Sequence, residues 1–290
     1  PTPGENLPND PLTAALALCN RAFKAGNYLL CHDLARQAQS EGLHDRQLDY
    51  IALLSLANAG STQLAMRRFR ELADGHDRTR DDYDIEEWLA LKGRLLKDLA
   101  LAATPARAPA LFVEAGRVYA QAFDHAGGYF PGINAATMLM LGGRREEALP
   151  LAQRVLDSLD ALAGTATKSD AERYYRCATE AEAALLLGDL DRAATALATA
   201  SRLLPGNVNA LSRTRAQLRL ICRHLDHDES LLDALNLPPV LFLPSALPDA
   251  APMPALPAEA SFVCSGLNGP RELAIAEHYR ALGVRVHLVL

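Results

Sequence analysis

Apolar residues recur three and four positions apart through most of the chain, in blocks separated by glycine, proline or short polar runs. This is the pattern of amphipathic helices joined by tight turns. After a Pro-, Asn- and Gly-rich lead-in over residues 1–10, Asp10 or Thr13 caps a first helix with Leu16, Leu18, Cys19 and Phe23 on its apolar side. Gly26 ends it, and Leu29 to Ser40 returns. A second pair runs from Arg46 to Gly75 around Gly60, and the charge-rich stretch His76 to Asp84 reads as a solvated loop. The third pair is Ile85–Ala103 and Ala108–Ala126, broken at Thr104-Pro105; the fourth is Ile133–Leu141 and Arg145–Ala163. Tyr174 to Asn207 holds a fifth pair around Gly188-Asp189 and ends at Pro205-Gly206. Residues 208–225, with Leu218, Ile221 and Leu225 inward, predict a capping helix, and a short helix follows near Ser230–Leu235.

The pairs share a spacing. Gly26 and Gly60 lie 34 residues apart, and a small residue follows five positions after each turn glycine: Cys31, Ala65, Ala148 after Gly143, and Ala193 after Gly188. Small side chains let helices approach closely, and a turn glycine lets the backbone leave a helix. Gly188, Pro205 and the alanines at 181, 193 and 200 make the fifth pair resemble a tetratricopeptide repeat (TPR), a helical hairpin of about 34 residues. One such hairpin cannot bury its own apolar face, so it predicts stacked neighbours. The fold class expected is all-α: a TPR-like α-solenoid of about five hairpins plus a capping helix, over residues 10–236.

Beyond it the composition changes. Residues 237–258 carry seven prolines and no Lys or Arg, which excludes an ordinary helix and predicts a stiff linker over 237–260. SFVCSG, GPRELAIAEHYRALG and VRVHLVL then read as strand, helix and strand, a βαβ unit over 261–290. So small a unit cannot stand alone. Either it belongs to a larger Rossmann-like domain or it docks against the linker before it.

Composition narrows the function classes. The 290 residues are 49% hydrophobic, 22% charged and 6% aromatic, enough for a large core and more helical than sheet-like in character. A net charge of −6 and a pI near 5.8 argue against a broad nucleic-acid surface. The five cysteines form no CxxC pair and read as buried reduced thiols. No apolar run reaches the roughly 18 residues of a membrane span. A soluble, cytoplasmic protein is expected, with a lost targeting segment left open by a chain that starts without Met.

Two segments go beyond a generic repeat. GYFPGINAATMLMLGGRREEA, Gly128 to Ala148, and KGRLLKDLAL, Lys92 to Leu101, resemble the TRAFs-binding TPR region of the apoptosis-signal-regulating MAP kinase kinase kinases and its bacterial signalling relatives. The likeness covers residues 10–225. It implies a regulatory module that organises partners; in the bacterial relatives it implies a sensor or adaptor fused to an effector and a nucleotide-derived signal. No kinase, cyclase or TIR motif accompanies it.

The resemblance also implies that the first helix of each hairpin lines a concave groove. With each turn glycine taken as position 15, groove residues fall near positions 2, 5, 9, 12 and 13. In the third hairpin, registered on Gly93 as position 8, these include Arg94, Lys97 and Asp98. The fourth offers Thr137 and Met140 with Asn134 adjacent; the fifth, Tyr175 and Glu182 with Thr179 adjacent; the capping helix, Asn209, Ser212 and Arg219 with Arg213 adjacent. The two N-terminal hairpins offer Phe23, Leu54 and Ala57 plus Asn20. Arg94, Lys97, Arg213 and Arg219 either bind an acidic peptide or phosphate, or form a solvated face with pairs such as Arg94 with Asp98. Asn134 and Thr137 read a ligand, or Asn134 ties down the Gly128–Gly132 loop. Glu182 pairs with a groove arginine or faces the ligand.

Catalysis finds no support in the residue pattern. The eight histidines show no HExxH spacing; His224 and His227 with Asp226 and Asp228 read as a solvated helix end rather than a metal grip. No G-x-S-x-G serine and no cysteine with a local base is present, and the turn Gly266–Gly269 lacks G-x-G-x-x-G. Tyr129, Phe130, Tyr174 and Tyr175 read as packing residues rather than a base-stacking platform, and Trp88 as a packing anchor. No cofactor and no metal site is expected. The function expected is a non-catalytic regulatory scaffold that binds a partner protein or peptide in the groove and controls a linked effector. The alternative is a sensor of a nucleotide-derived small molecule in the same groove.

Overall fold

Four of the five predicted hairpins close through the same backbone device. In the computed structural model Gly26, Gly60, Gly143 and Gly188 all take positive φ, between 76° and 85°. At each, the N–H of the next residue reaches back to the carbonyl five positions earlier: Asn27 to Ala22, Ser61 to Leu56, Arg144 to Leu139 and Asp189 to Ala184. The left-handed glycine lets the chain reverse while the last helical carbonyls stay bonded. Five residues on, Cys31, Ala65, Ala148 and Ala193 have no exposed surface, so the returning helix meets its partner where the side chain is small.

The structure describes residues 10–75, 86–165, 169–204, 207–235, 237, 240–243, 247–250, 252–255, 262–265 and 269–288. The solvated loop expected at 76–84, the Pro205-Gly206 break and the turn at 266–268 lie outside them. Ten helices make the hairpins: α1 (Pro11–Lys24), α2 (Tyr28–Ser40), α3 (Arg46–Asn58), α4 (Thr62–Gly75), α5 (Glu86–Leu101), α6 (Ala108–Ala126), α7 (Tyr129–Leu141), α8 (Arg145–Ala161), α9 (Asp170–Leu187) and α10 (Leu190–Leu203). They are followed by α11 (Val208–Leu225) and a 3-10 turn, Glu229–Ala234. The helical part is all-α and TPR-like. Asp10 does cap α1, accepting from the Thr13 N–H at 2.8 Å. Two helices start a turn earlier than expected: α7 at Tyr129, not Ile133, and α9 at Asp170, not Tyr174. Pro131 sits in the first turn of α7, where a missing N–H leaves no helical bond unmade.

The chain divides into two compact units. The first holds residues 1–166, 179–193 and 224–226; the second holds 167–178, 194–223 and 227–290. In the first unit successive helices from α1 to α8 pack in chain order, and the first helices of neighbouring hairpins also meet, α1 with α3, α3 with α5 and α5 with α7. One core joins Leu53, Leu56, Phe69, Trp88, Leu95, Tyr119 and Met138, with Trp88 set edge-on to Tyr50 at 5.9 Å. A smaller core at the N-terminal end gathers Cys19, Cys31, Ala35, Leu48 and Ala52.

In the second unit three strands, β1 (Val240–Leu243), β2 (Phe262–Ser265) and β3 (Arg285–Leu288), form a parallel sheet in that order. Val240 pairs with Phe262, and Phe262 with Arg285. The helix α12 (Pro270–Ala281) covers the sheet through Ile275 and Tyr279 against Leu243. The stretch read as linker thus supplies a strand. Its prolines flank VLFL without entering it, so the strand keeps every N–H needed for the ladder. Two further contacts hold that stretch on α12: the buried Glu272 carboxylate accepts the Leu247 N–H at 2.7 Å, and the Tyr279 hydroxyl donates to the Pro254 carbonyl.

Candidate functional site

The polar residues expected along the first helices divide between the two units. Arg94, Lys97 and Asp98 on α5, Asn134 and Thr137 on α7, and Glu182 on α9 belong to the first. Tyr175 on α9 and Asn209, Arg213 and Arg219 on α11 belong to the second.

On α5, Arg94 and Asp98 sit one turn apart, with guanidinium and carboxylate 3.7 Å apart and side chains 29% and 28% exposed. A pair at that spacing contributes only about 0.3–0.5 kcal/mol on its own. The stronger restraint comes from the neighbouring hairpin: Arg94 donates to Asn58 Oδ1, at the end of α3, at 2.7 Å. Asn58 stands two residues before Gly60, at position 13 of the register that named Leu54 and Ala57. The signal for it was therefore in the sequence: a polar residue at a groove position in an otherwise apolar helix end. Lys97 is half-buried on the same helix.

The influence of Arg94 and Asp98 extends into the core. Tyr119 is buried, and that burial pushes its phenol far above the ordinary value; the Asp98 and Glu182 carboxylates push the same way, while Arg94 opposes them. Tyr50 is raised for a related reason, burial first and the Glu87 carboxylate second, again opposed by Arg94. Both phenols therefore stay neutral donors at any physiological pH.

Glu182 has a partner that the sequence did not name. Thr137 Oγ1 donates to Glu182 Oε1 at 2.6 Å, with Thr137 fully buried and Glu182 only 9% exposed. The short distance is that of a charge-assisted bond. Asn134 Nδ2 donates to the Phe130 carbonyl at 2.9 Å, which ties down the first turn of α7. Phe130 itself is exposed.

In the second unit Tyr175 is half exposed and lies edge-on to Tyr174 at 5.2 Å, whose hydroxyl donates to Thr214 at 2.8 Å. Arg213 is exposed, and Arg219 pairs with Glu229 at 2.9 Å. Asn209 lies in the first turn of α11; its side chain falls outside the described residues. Among the described residues no three His, Cys, Asp or Glu side chains group as a metal set. Among them, too, no helix is long and apolar enough to cross a membrane.

Comparison with known proteins agrees with the repeat fold. Residues 27–139 match the family described as Tetratricopeptide Repeats-Sensor, TPR-S. The repeats are of the TPR type. The matched span runs from the first hairpin turn to α7 and contains Asn58, Arg94, Lys97, Asp98, Asn134 and Thr137. A crystal structure of a thermophilic TPR protein from Thermus thermophilus is similar in fold, with a TM-score of 0.52 and 18% identity over 72% of this chain and 99% of that one. No curated protein matches the sequence. These findings support a repeat-based interaction or sensor scaffold, and they give no support to the narrower likeness to the TRAFs-binding region of the kinases.

Proposed function

We propose that the chain is a non-catalytic regulatory scaffold that holds an acidic segment of a partner protein on the first helices of its second and third hairpins, and so controls a linked effector. Arg94 supplies charge-assisted donors to the partner's carboxylates, Lys97 adds a second cation, and Asn58 fixes the guanidinium while leaving it part exposed. The observation that supports this reading is the Arg94–Asn58 bond: a charged fork held across two stacked hairpins, with Asp98 beside it, is pre-organised for a ligand. The test is capture of binding partners on the immobilised chain against its Arg94→Glu variant, with helix content matched by circular dichroism. Partners lost from the variant support the assignment; an identical set overturns it.

A second reading follows from the sensor description of the matched family, whose span includes the same residues. In it, Arg94 and Lys97 take the phosphate of a nucleotide-derived signal. A thermal-shift screen against nucleotides and cyclic nucleotides separates the two. A ligand present at about 100 times its Kd stabilises the chain by about 2.7 kcal/mol, and a screen without a shift leaves the peptide reading standing alone.

A further inference from the structure

Arg215, Arg219 and Arg223 stand at successive i,i+4 positions on α11, so they share one face of the helix. All three end on the short segment that follows. Arg215 donates to the carbonyls of Leu232 and Leu235 at 2.8 and 3.2 Å and pairs with Asp233 at 3.1 Å. Arg219 and Arg223 close on the two oxygens of Glu229 at 2.9 and 2.7 Å. Leu232 and Leu235, three residues apart, have no exposed surface. The segment is thus recognised in two ways at once, by charge at Glu229 and Asp233 and by burial at the two leucines.

The charged half of this hold is looser at its outer ends. Arg223 is 68% exposed and Asp233 76%, and charges this exposed are screened by water and salt, while Arg215 at 21% and Arg219 at 38% are more sheltered. The segment also hangs from a costly reversal. Asp226 takes φ +57°, the one non-glycine residue at positive φ among those described, and the His227 N–H returns to the Cys222 carbonyl around it. Two buried leucines flanked by carboxylates, held by an arginine row and a left-handed hinge, have the make-up of a short linear motif in its reader.

We propose that this face of α11 reads acidic segments carrying paired leucines, and that residues 228–235 fill it in cis as an exchangeable internal ligand. The partner it fits is a protein segment with an acidic residue three positions before a first leucine and six before a second, the spacing of Glu229, Leu232 and Leu235. Such a segment displaces 228–235 and frees the chain leading into β1. Charge complementarity selects this partner over an apolar one, because three arginines of the face contact the segment's carboxylates and carbonyls.

The experiment uses the full chain and a fluorescein-labelled peptide, HDESLLDALNL, of residues 227–237. Glu229→Ala/Leu232→Ala/Leu235→Ala empties the face. By fluorescence anisotropy that variant is expected to bind the peptide at least tenfold more tightly than the unaltered chain. Adding Arg219→Glu/Arg223→Glu removes the binding, and a peptide with lysine in place of the glutamate fails to compete. A folded triple variant that ignores the peptide, or binds it regardless of the arginines, overturns the proposal. Peptide-independent dimers, seen by sedimentation, overturn it in favour of exchange between two copies. If the triple variant does not fold, hydrogen exchange on the unaltered chain decides. Amides of 229–235 must exchange at least tenfold faster than those of 218–222 in α11; equal protection makes the segment a fixed part of the fold and ends the idea.

Discussion

Thr137 on α7 donates its hydroxyl hydrogen to Glu182 on α9, 45 residues along the chain, and the two side chains are buried together. A buried carboxylate is costly unless its oxygens are satisfied, so the hydroxyl matters more for what it leaves unmet when removed than for the bond itself. Thr137→Val keeps the shape and removes the donor. It is expected to cost about 1–3 kcal/mol in urea unfolding with an unchanged m value, while Thr137→Ser stays close to the parent. If valine matches serine, the Glu182 carboxylate is held by its other neighbours and the bond is incidental.

Gly93 marks a second close approach. A Cβ built there falls 2.8 Å from the ring of Tyr119, which α6 presses against α5 and which cannot move aside because it is itself buried. In an open helix interior Gly→Ala stabilises by about 1 kcal/mol. Here the sign reverses: Gly93→Ala is expected to cost about 1–3 kcal/mol through overpacking. Gly60→Ala serves as the contrast, since nothing lies within 4 Å of its Cβ and only the positive φ opposes it. A stabilised Gly93→Ala chain would mean that α5 and α6 are not in contact at this point.

These two positions mark what the sequence carries and what it withholds. The turn glycines and the small residues five places on are local requirements of a tight reversal, so Gly26, Gly60, Gly143 and Gly188 could be read without any tertiary information. The i,i+4 pairing of Arg94 with Asp98 is legible for the same reason. Arg94 with Asn58 and Thr137 with Glu182 join different hairpins, and helical period says which face a residue occupies, not whose side chain it meets. The repeat register could still point to Asn58, because position 13 was already a groove position. The arginine row of α11 was legible as charge but not as a clamp, since its partners lie beyond a reversal made by Asp226, and aspartate occurs in many other backbone conformations besides the left-handed one. Pro-rich composition hid β1, whose four residues contain no proline.

Cys19 and Cys31 face each other across α1 and α2 with no exposed surface. Burial, and then the neighbouring Cys31 thiol, pushes Cys19 up to about 11, and burial raises Cys31 as well. Only the thiolate alkylates, so at pH 8 both are expected to resist iodoacetamide in the folded chain and react on unfolding. Because the folded values lie above the ordinary thiol value of about 8.5, the stability they contribute is complete below that pH. It is lost as pH rises from there towards 11. Mass spectrometry after a brief alkylation in native buffer checks the first point; modification of either cysteine without loss of helicity would contradict it.

Glu229 titrates in the opposite sense. The guanidinium of Arg223 first, and that of Arg219 with it, hold its carboxylate below the ordinary glutamate range, while the Ser230 hydroxyl and N–H do the same for Asp228. A depressed folded value means that the contribution is fully present above the unfolded value of about 4.3 and disappears as pH falls through the lower folded one. Residues 229–235 are therefore expected to loosen selectively as pH falls below about 4.3, ahead of α11 itself, and to loosen further with added salt. Hydrogen exchange across that range, corrected for the intrinsic pH dependence of the amides, gives the measurement. Glu229→Gln should abolish most of the pH effect while leaving Leu232 and Leu235 seated. If the glutamine variant loosens with acid as the parent does, the arginine pairs on Glu229 are not what responds to pH.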